Sequence, residues 1–146
     1  MAPHGARAVP IAAVDGVMVY LRKRIHKVTQ LDLELHSSVL PRDLHSVTEL
    51  HYRFVNGNII GEAKVWTYGY PQPETALILD YWCDIAELYV KLLKYVLDDL
   101  KIHYNVRTVY LHTVRTDETE KKLLGKTLRE LNFVMIDNEY AVLALP

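Results

Sequence analysis

The sequence predicts an α/β protein of the mixed α+β kind, with a central mixed sheet and helices packed on both of its faces. Two observations predict this class. The dipeptide Asn56-Gly57 joins two runs rich in aromatic and branched residues, which is the strongest short-range signal for a β-hairpin. After the hairpin, apolar runs of strand length alternate with segments of helical spacing as far as the C-terminus. An antiparallel unit followed by strand–helix–strand units gives a sheet of mixed direction.

Length and charge predict a single-domain protein that does not bind nucleic acid as its main partner. At 146 residues the chain fits one domain, which we predict over 14–146, behind a small, polar N-terminal arm at 1–13. The 17 Lys and Arg residues nearly balance the 18 Asp and Glu residues, so nucleic acid is not expected as the main partner. A single cysteine cannot form an internal disulfide, and no apolar run approaches the roughly 18 residues of a membrane span. A cytoplasmic protein without a membrane span is therefore expected.

An amphipathic helix opened by Asp15 is predicted after the arm. Its apolar positions recur at helical spacing: Val14, Met18, Leu21, Ile25 and Val28. Basic residues crowd the other positions, among them Arg22, Lys23 and Arg24. A solvated helix face is favoured over contact with phosphate groups, and the same three residues are candidates for a protein interface.

Turn signals and periodicity predict the remaining elements. Segment 31–36, LDLELH, alternates as a strand does but also extends the helical spacing, so both assignments stay open. Pro41 ends it, and 41–47 is predicted to start a short helix. A buried strand follows the hairpin at Thr75–Trp82. The rest of the chain is predicted as a helix with its apolar face between Ile85 and Leu100, a strand at 106–114, a helix at 117–133, and a closing strand or hairpin at 134–145.

This order of elements, from about Glu49 to Leu145, resembles the GCN5-related N-acetyltransferase fold. The closing stretch LGKTLRELNFVMIDNEYAVLAL is similar to the last helix, Gly-Phe turn and final strand of that family, with Asn132-Phe133 in place of Gly-Phe. The resemblance covers about two thirds of the chain. It implies acetyl-CoA as cofactor. In that family a glycine-containing loop, Q/R-x-x-G-x-G/A, holds the cofactor, and it corresponds here to the junction between the strand at Thr75–Trp82 and the helix that follows it. Glycines there admit the pyrophosphate to backbone N–H groups at the helix N-terminus.

The loop of this chain departs from that pattern. The matching stretch LDYWCDIAELY has no glycine and carries Asp80, Asp84 and Glu87 where phosphate would lie. Like charges at ~4 Å repel by about 1 kcal/mol in water and by several times more when partly buried. Asp84 and Glu87 have the spacing of a capping box, so we predict that they cap the helix and that no cofactor is bound.

The catalytic residues implied by the resemblance are also missing. The tyrosine that protonates the departing thiolate is replaced by Leu128, and the asparagine that follows the fifth strand is replaced by HTVRTDE. Glu62, Glu74 and Asp80 are lone candidates for a general base, although solvated carboxylates are the commoner case. His112 is predicted to be a surface or packed imidazole rather than a catalyst, and the seven histidines show no spacing typical of a metal site.

An interface is favoured at the aromatic end of the hairpin over the alternative, in which Trp66 packs in the core and the tyrosines cover sheet edges. VWTYGYPQP places Trp66, Tyr68 and Tyr70 beside two prolines, and Tyr and Trp favour interfaces because they provide large contact areas at low entropic cost. Cys83, near a helix start and surrounded by acids, is predicted to be a structural thiol.

Two functions follow. The first is a non-catalytic structural or interaction protein on a degenerate acetyltransferase-like fold, similar in layout to internal or ejected virion proteins of short-tailed phages. Protein partners or self-assembly are implied, in a virion or in the host cytoplasm. The alternative is an acetyl-CoA-dependent N-acetyltransferase with a divergent cofactor loop. A cleft between the strands that end at Trp82 and begin after Val106 would favour the enzyme, and filling of that cleft by Tyr81, Trp82 or Tyr110 would exclude it.

Overall fold

A computed structural model describes residues 10–14, 17–26, 31–40, 47–68 and 74–146. Within these ranges it contains nine strands and two α-helices. The strands are β1 (Pro10–Val14), β2 (Val17–His26), β3 (Leu31–Leu40), β4 (Val47–Asn56), β5 (Asn58–Tyr68), β6 (Thr75–Cys83), β7 (Thr108–His112), β8 (Val134–Met135) and β9 (Tyr140–Ala144). The helices are α1 (Tyr89–Tyr104), which follows a 3₁₀ turn at Ala86–Leu88, and α2 (Glu118–Glu130).

All nine strands form one sheet in the order β1-β2-β3-β4-β5-β6-β7-β9-β8. Strands β1 to β6 pair antiparallel in chain order. Strand β7 then pairs parallel with β6, and β9 pairs antiparallel with both β7 and β8. Because α1 connects the two parallel strands, the predicted mixed sheet with strand–helix–strand connections is confirmed.

The hairpin predicted at Asn56-Gly57 is present. Gly57 has a φ of 72°, a conformation that glycine adopts without steric cost, and Asn56 pairs with Asn58 across the turn. Gly61 lies further along β5, where a Cβ atom would come within 3.0 Å of the Trp82 carbonyl oxygen and 3.1 Å of the Phe54 ring. A larger residue there would push β6 away from β5.

The helix predicted after the N-terminal arm is wrong, because that segment is strand β2. Met18, Tyr20 and Arg22 alternate toward the core, as strand residues do. Bulges between Leu21 and Lys23 and between Arg24 and His26 interrupt this alternation, which leaves apolar residues at helical spacing. Pairing with β3 therefore decides the conformation. The side chains of Lys23 and Arg24 lie outside the described residues.

Two further segments of the N-terminal half are also strands of the sheet. The open assignment at 31–36 is settled as strand, since β3 covers it. Strand β1 occupies Pro10–Val14, so the sheet begins inside the segment predicted as an arm. The short helix predicted at 41–47 falls almost entirely on residues outside the described ranges, and Val47 begins β4.

Both helices pack on the same face of the sheet. They contact each other, and their buried residues join one core with the inward-facing residues of the strands. The core includes Leu33, Leu35, Leu50, Phe54, Val65, Ile78, Leu92, Leu93, Val96, Leu100, Val109, Leu111, Leu124, Leu128 and Ala141. The sequence predicted helices on both faces, and in the described part of the chain both helices lie on one. The N-terminal segment that was expected to supply a helix extends the sheet instead.

A buried polar cluster ties α1 to the N-terminal strands. The Asp99 carboxylate lies 3.1 Å from Nε of Arg22 and accepts a 2.6 Å hydrogen bond from the Tyr52 hydroxyl. Arg22 also donates to the Tyr104 hydroxyl at 3.3 Å, and its side chain is 3% exposed. The interpretation of Arg22 as part of a solvated basic face or an interface is thus wrong, because it neutralises a buried aspartate.

The C-terminal half follows the sequence prediction closely. Strand β6, strand β7 and helix α2 occupy the predicted positions, α1 begins at Tyr89 rather than directly after Asp84, and the closing segment is a hairpin of β8 and β9. Helix α1 ends at Asn105, whose φ of 54° is the left-handed conformation typical of a helix C-cap. In the part of the chain that is described, neither helix combines the length and apolar character needed to cross a membrane.

Candidate functional site

The candidate site is the gap where β6 and β7 diverge. The two strands pair from Thr75 and Thr108 as far as Ile78 and Leu111. Strand β7 ends one residue later at His112, whereas β6 continues through residues 79–83. The last five residues of β6 therefore have no partner in β7, and this is the place where the resemblance would put a cofactor.

The Arg115 side chain spans this gap. Its Nη1 donates to the His112 carbonyl at 3.0 Å, at the end of β7, and its Nη2 donates to the Tyr81 carbonyl at 3.3 Å, on the unpaired part of β6. The side chain is only 6% exposed. The guanidinium thus uses backbone acceptors on both strands and closes the gap between them.

Two carboxylates hold the Arg115 guanidinium in place. Glu120, in the first turn of α2, lies 2.9 Å from Nε, and Asp80 lies 3.7 Å from Nη2. Asp80 is 59% exposed, so its contribution is screened by water, whereas Glu120 is 30% exposed. Asp80, a candidate general base from the sequence, therefore contributes to an ion pair.

The predicted fillers of the gap do not fill it. Tyr81 is fully buried and donates its hydroxyl to the Tyr89 carbonyl in α1, with the two rings edge to face at 5.0 Å. Trp82 and Tyr110 are half-buried, and Tyr110 lines a groove on the uncovered sheet face. Arg115, to which no sequence motif pointed, is the side chain that spans the gap.

The helix cap predicted at Asp84 and Glu87 is wrong. A 3₁₀ turn intervenes, so α1 begins at Tyr89 after Leu88, and neither the turn nor the helix has a side-chain cap. Backbone bonds within the turn satisfy some of the N–H groups instead: Leu88 N–H donates to the Ile85 carbonyl at 3.0 Å. Asp84 and Glu87 are exposed and keep negative charge around this helix start, where a phosphate would have to bind.

Asp117 is the side-chain cap that the structure does contain, and its removal tests the correction. Its carboxylate accepts the Glu120 N–H at 2.8 Å at the start of α2. We expect Asp117→Ala to lower the free energy of unfolding by about 1 kcal/mol. Asp84→Ala is the matched control and should change it by no more than about 0.5 kcal/mol. Denaturant midpoints measure both variants, and a larger loss at Asp84 than at Asp117 would contradict the assignment.

Tyr89 and Cys83, which lie near the gap, are held neutral. Tyr89 is buried, its hydroxyl has no hydrogen-bond partner among the described residues, and burial raises its pKa well above the usual range. Burial also raises the pKa of the Cys83 thiol, and nearby Asp84 adds to the effect. The thiol donates to the Ile85 carbonyl at 3.4 Å. These features agree with Cys83 as a structural thiol rather than an activated nucleophile.

The other side chains singled out from the sequence are apolar, packed or exposed to solvent. Leu128 is 8% exposed and belongs to the core. His112 packs on the Tyr140 ring, with centroids 5.2 Å apart. Glu74 is exposed, and its backbone carbonyl accepts N–H groups from Arg107 and Thr108. The structure thus shows His112 as a packed ring and Glu74 as an exposed carboxylate.

The uncovered face of the sheet carries a network of charged pairs. Glu62 lies 2.8 Å from Nε of Arg53 and 3.5 Å from Nδ1 of His51. Glu49 accepts hydrogen bonds from Nε2 of His51 at 3.0 Å and from the Trp66 indole at 2.8 Å. Burial raises the pKa of Glu49, but these two hydrogen bonds outweigh it, and the pKa is lower than usual. Glu62 therefore forms ion pairs and is not a free general base.

The predicted aromatic interface lies on this face. Trp66 is half-buried and is held by Glu49, while Tyr68 lines a shallow groove of about 290 Å³ beside the β8–β9 turn. Its lining residues are mostly apolar or aromatic: Tyr68, Thr75, Leu77, Tyr110, Ile136 and Tyr140. Tyr70 lies outside the described residues. The structure thus brings Trp66 and Tyr68 to one surface, which remains a predicted interface.

Comparisons with known proteins add no assignment. No model of a protein family matches the chain, and no curated protein matches it either. Among the described residues, no three His, Cys, Asp or Glu side chains are grouped so that they could hold a metal ion.

Proposed function

We propose that this chain is a non-catalytic structural or interaction protein built on a degenerate acetyltransferase-like fold. The element order supports the scaffold: a hairpin, β6, α1, β7, α2 and a closing hairpin follow one another as the resemblance implies. The turn after α2 supports it as well. Asn132 stands in place of glycine with a φ of 66°, and asparagine tolerates this conformation better than most other non-glycine residues.

The main support for a non-catalytic function is the position of Arg115, whose guanidinium bonds backbone carbonyls of both β6 and β7. An acyl-CoA arm between β6 and β7 would need the backbone groups and the space that the guanidinium occupies. Displacing Arg115 would remove the donors that the Tyr81 and His112 carbonyls bind, and acyl-CoA, which is rich in acceptors, would replace few of them. It would also leave the Glu120 carboxylate without its cation. The exposed acids Asp84 and Glu87 oppose the pyrophosphate at the adjacent helix start.

The interaction assignment rests on the uncovered sheet face. A face of charged pairs and half-buried aromatic residues, with no described helix on it, provides a wide polar and aromatic surface for a protein partner. A virion protein of a short-tailed phage, internal or ejected, is the setting that the sequence resemblance suggests.

Thermal unfolding with acetyl-CoA tests this proposal. At about 1 mM ligand, a dissociation constant of 1 mM or weaker adds at most ~0.4 kcal/mol, whereas a micromolar constant adds ~4 kcal/mol. For a chain of this size we expect a rise in Tm of no more than about 2 °C, against more than ~10 °C for an acetyl-CoA-binding enzyme. ADP at the same concentration controls for non-specific anion effects. A large rise with acetyl-CoA alone would favour the divergent N-acetyltransferase.

A further inference from the structure

Strand β8 is one edge of the described sheet, and its backbone leaves one residue facing outward. The Ile136 N–H donates to the Tyr140 carbonyl at 3.0 Å, which continues the pairing of Val134 with Val142 and Met135 with Ala141. In an antiparallel pair, successive residues direct their N–H and C=O groups to alternate sides. Met135 therefore directs both of its backbone groups away from β9, toward the open edge.

The side chains at this edge are apolar and exposed. Val134 is 63% exposed, Met135 50% and Ile136 54%. Sheet edges are usually protected by charged residues, proline or a covering element, and within the described ranges none of these three positions has such protection. Val134 and Ile136 lie on the uncovered face of the sheet, opposite Val142 and Tyr140, and Met135 lies on the face that carries the helices. Three consecutive exposed apolar residues on an unpaired edge indicate a covered surface in the functional protein.

We propose that β8 pairs antiparallel with β8 of a second copy of this chain, with the two-fold axis between the two Met135 residues. Because the outward donor and acceptor belong to the same residue, a two-fold arrangement satisfies both: each Met135 N–H donates to the carbonyl of the other Met135. The same register brings Val134 of one copy beside Ile136 of the other, so that apolar side chains cover each other. The two sheets then form one continuous sheet.

Charge at the two ends of β8 favours a second copy as the occupant. The exposed acids Asp137 and Glu139 follow the strand. Helix α2 precedes it, and in its last turns exposed Lys126 lies 4.0 Å from Glu130, so that exposed Arg129 supplies the net positive charge. An antiparallel pair brings the acidic turn of one copy toward the more basic helix end of the other, at both ends of the interface. The acidic turn and the basic helix end that complement each other both belong to this chain, so a second copy supplies the matching charge.

The inference rests on the proposed function in one respect, since it names self-association as the interaction. Sedimentation of the intact chain, of Ile136→Asp and of Ile102→Asp tests it. Ile102 is a matched control because it is 66% exposed on α1, away from the edge. We expect the intact chain and Ile102→Asp to dimerise alike, and Ile136→Asp to raise the dimer dissociation constant at least about tenfold. A chain that stays monomeric at about 100 µM, or equal effects of the two substitutions, would overturn the proposal.

A cysteine cross-link provides a second measurement that does not depend on the stability of the aspartate variant. In a hydrogen-bonded antiparallel pair the Cα atoms are about 5.5 Å apart, which is within the range that a disulfide spans. In a Cys83→Ser background, Met135→Cys should form a disulfide-linked dimer on mild oxidation, and Ile102→Cys should not. Equal cross-linking of the two variants would also overturn the proposal. Binding of acetyl-CoA is measured separately. A chain that does not dimerise would therefore leave the non-catalytic proposal intact, and a chain that binds acetyl-CoA would leave the dimer proposal intact.

Discussion

Asp99→Ala is expected to lower the free energy of unfolding by about 3–5 kcal/mol, the largest effect that we predict for one substitution. The change leaves the Arg22 guanidinium, which is 3% exposed, without the carboxylate 3.1 Å away. It also removes the acceptor of the buried Tyr52 hydroxyl. Breaking a buried pair on one side is costly because the remaining charge stays desolvated.

Two variants separate this effect from a general weakening of α1. Asp98→Ala changes the exposed neighbour of Asp99 and should alter the free energy of unfolding by no more than about 0.5 kcal/mol. The double variant Arg22→Met, Asp99→Leu removes both charges and should recover the part of the loss that comes from the uncompensated Arg22 charge, whereas the Tyr52 hydroxyl stays without its acceptor. Urea unfolding of the three variants measures these differences. A loss below about 1 kcal/mol for Asp99→Ala would show that the cluster is more hydrated than the structure indicates.

Arg115→Ala is expected to lower the free energy of unfolding by about 2–3 kcal/mol. The substitution removes the donors to the Tyr81 and His112 carbonyls and the cation between Glu120 and Asp80. The value is below that for Asp99 because both carboxylates are partly exposed and water can solvate them.

Arg107→Ala is the control for the loss of a positive charge, because Arg107 is exposed just before β7. It should change the free energy of unfolding by no more than about 0.5 kcal/mol. If Arg115→Ala is as mild as Arg107→Ala in denaturant unfolding, then Arg115 does not hold β6 and β7 together, and the closed gap loses its physical basis.

The hairpin and the two helices were predictable because residues close together in the sequence specify them. The Asn56-Gly57 turn specifies the hairpin because glycine takes the positive φ, and the apolar spacing of α1 and α2 matches their buried faces. The N-terminal half was mispredicted because two bulges shift the alternation of β2, so its sheet pairing is visible only once β3 is placed beside it. That error also explains the uncovered face, since the misassigned helix was expected to lie there.

The candidate site was harder to predict because its contacts are distant in sequence. Arg115 bonds the Tyr81 carbonyl 34 positions away, and no local pattern reports that pairing. One signal was present: an arginine two residues before Asp117, followed by Glu118 and Glu120, places a cation next to an acidic helix start. The capping prediction failed for a different reason, because a 3₁₀ turn between Cys83 and α1 moves the helix start beyond Asp84.

Calorimetric titration of the intact chain with acetyl-CoA is the decisive measurement for the proposal that Arg115 occupies the place where the resemblance would put a cofactor. We predict no saturable heat below about 1 mM ligand, because the gap is closed and the adjacent helix start is acidic. A saturable isotherm with a micromolar dissociation constant would contradict the account, since it would require Arg115 to leave the gap and the acidic loop to accept a pyrophosphate.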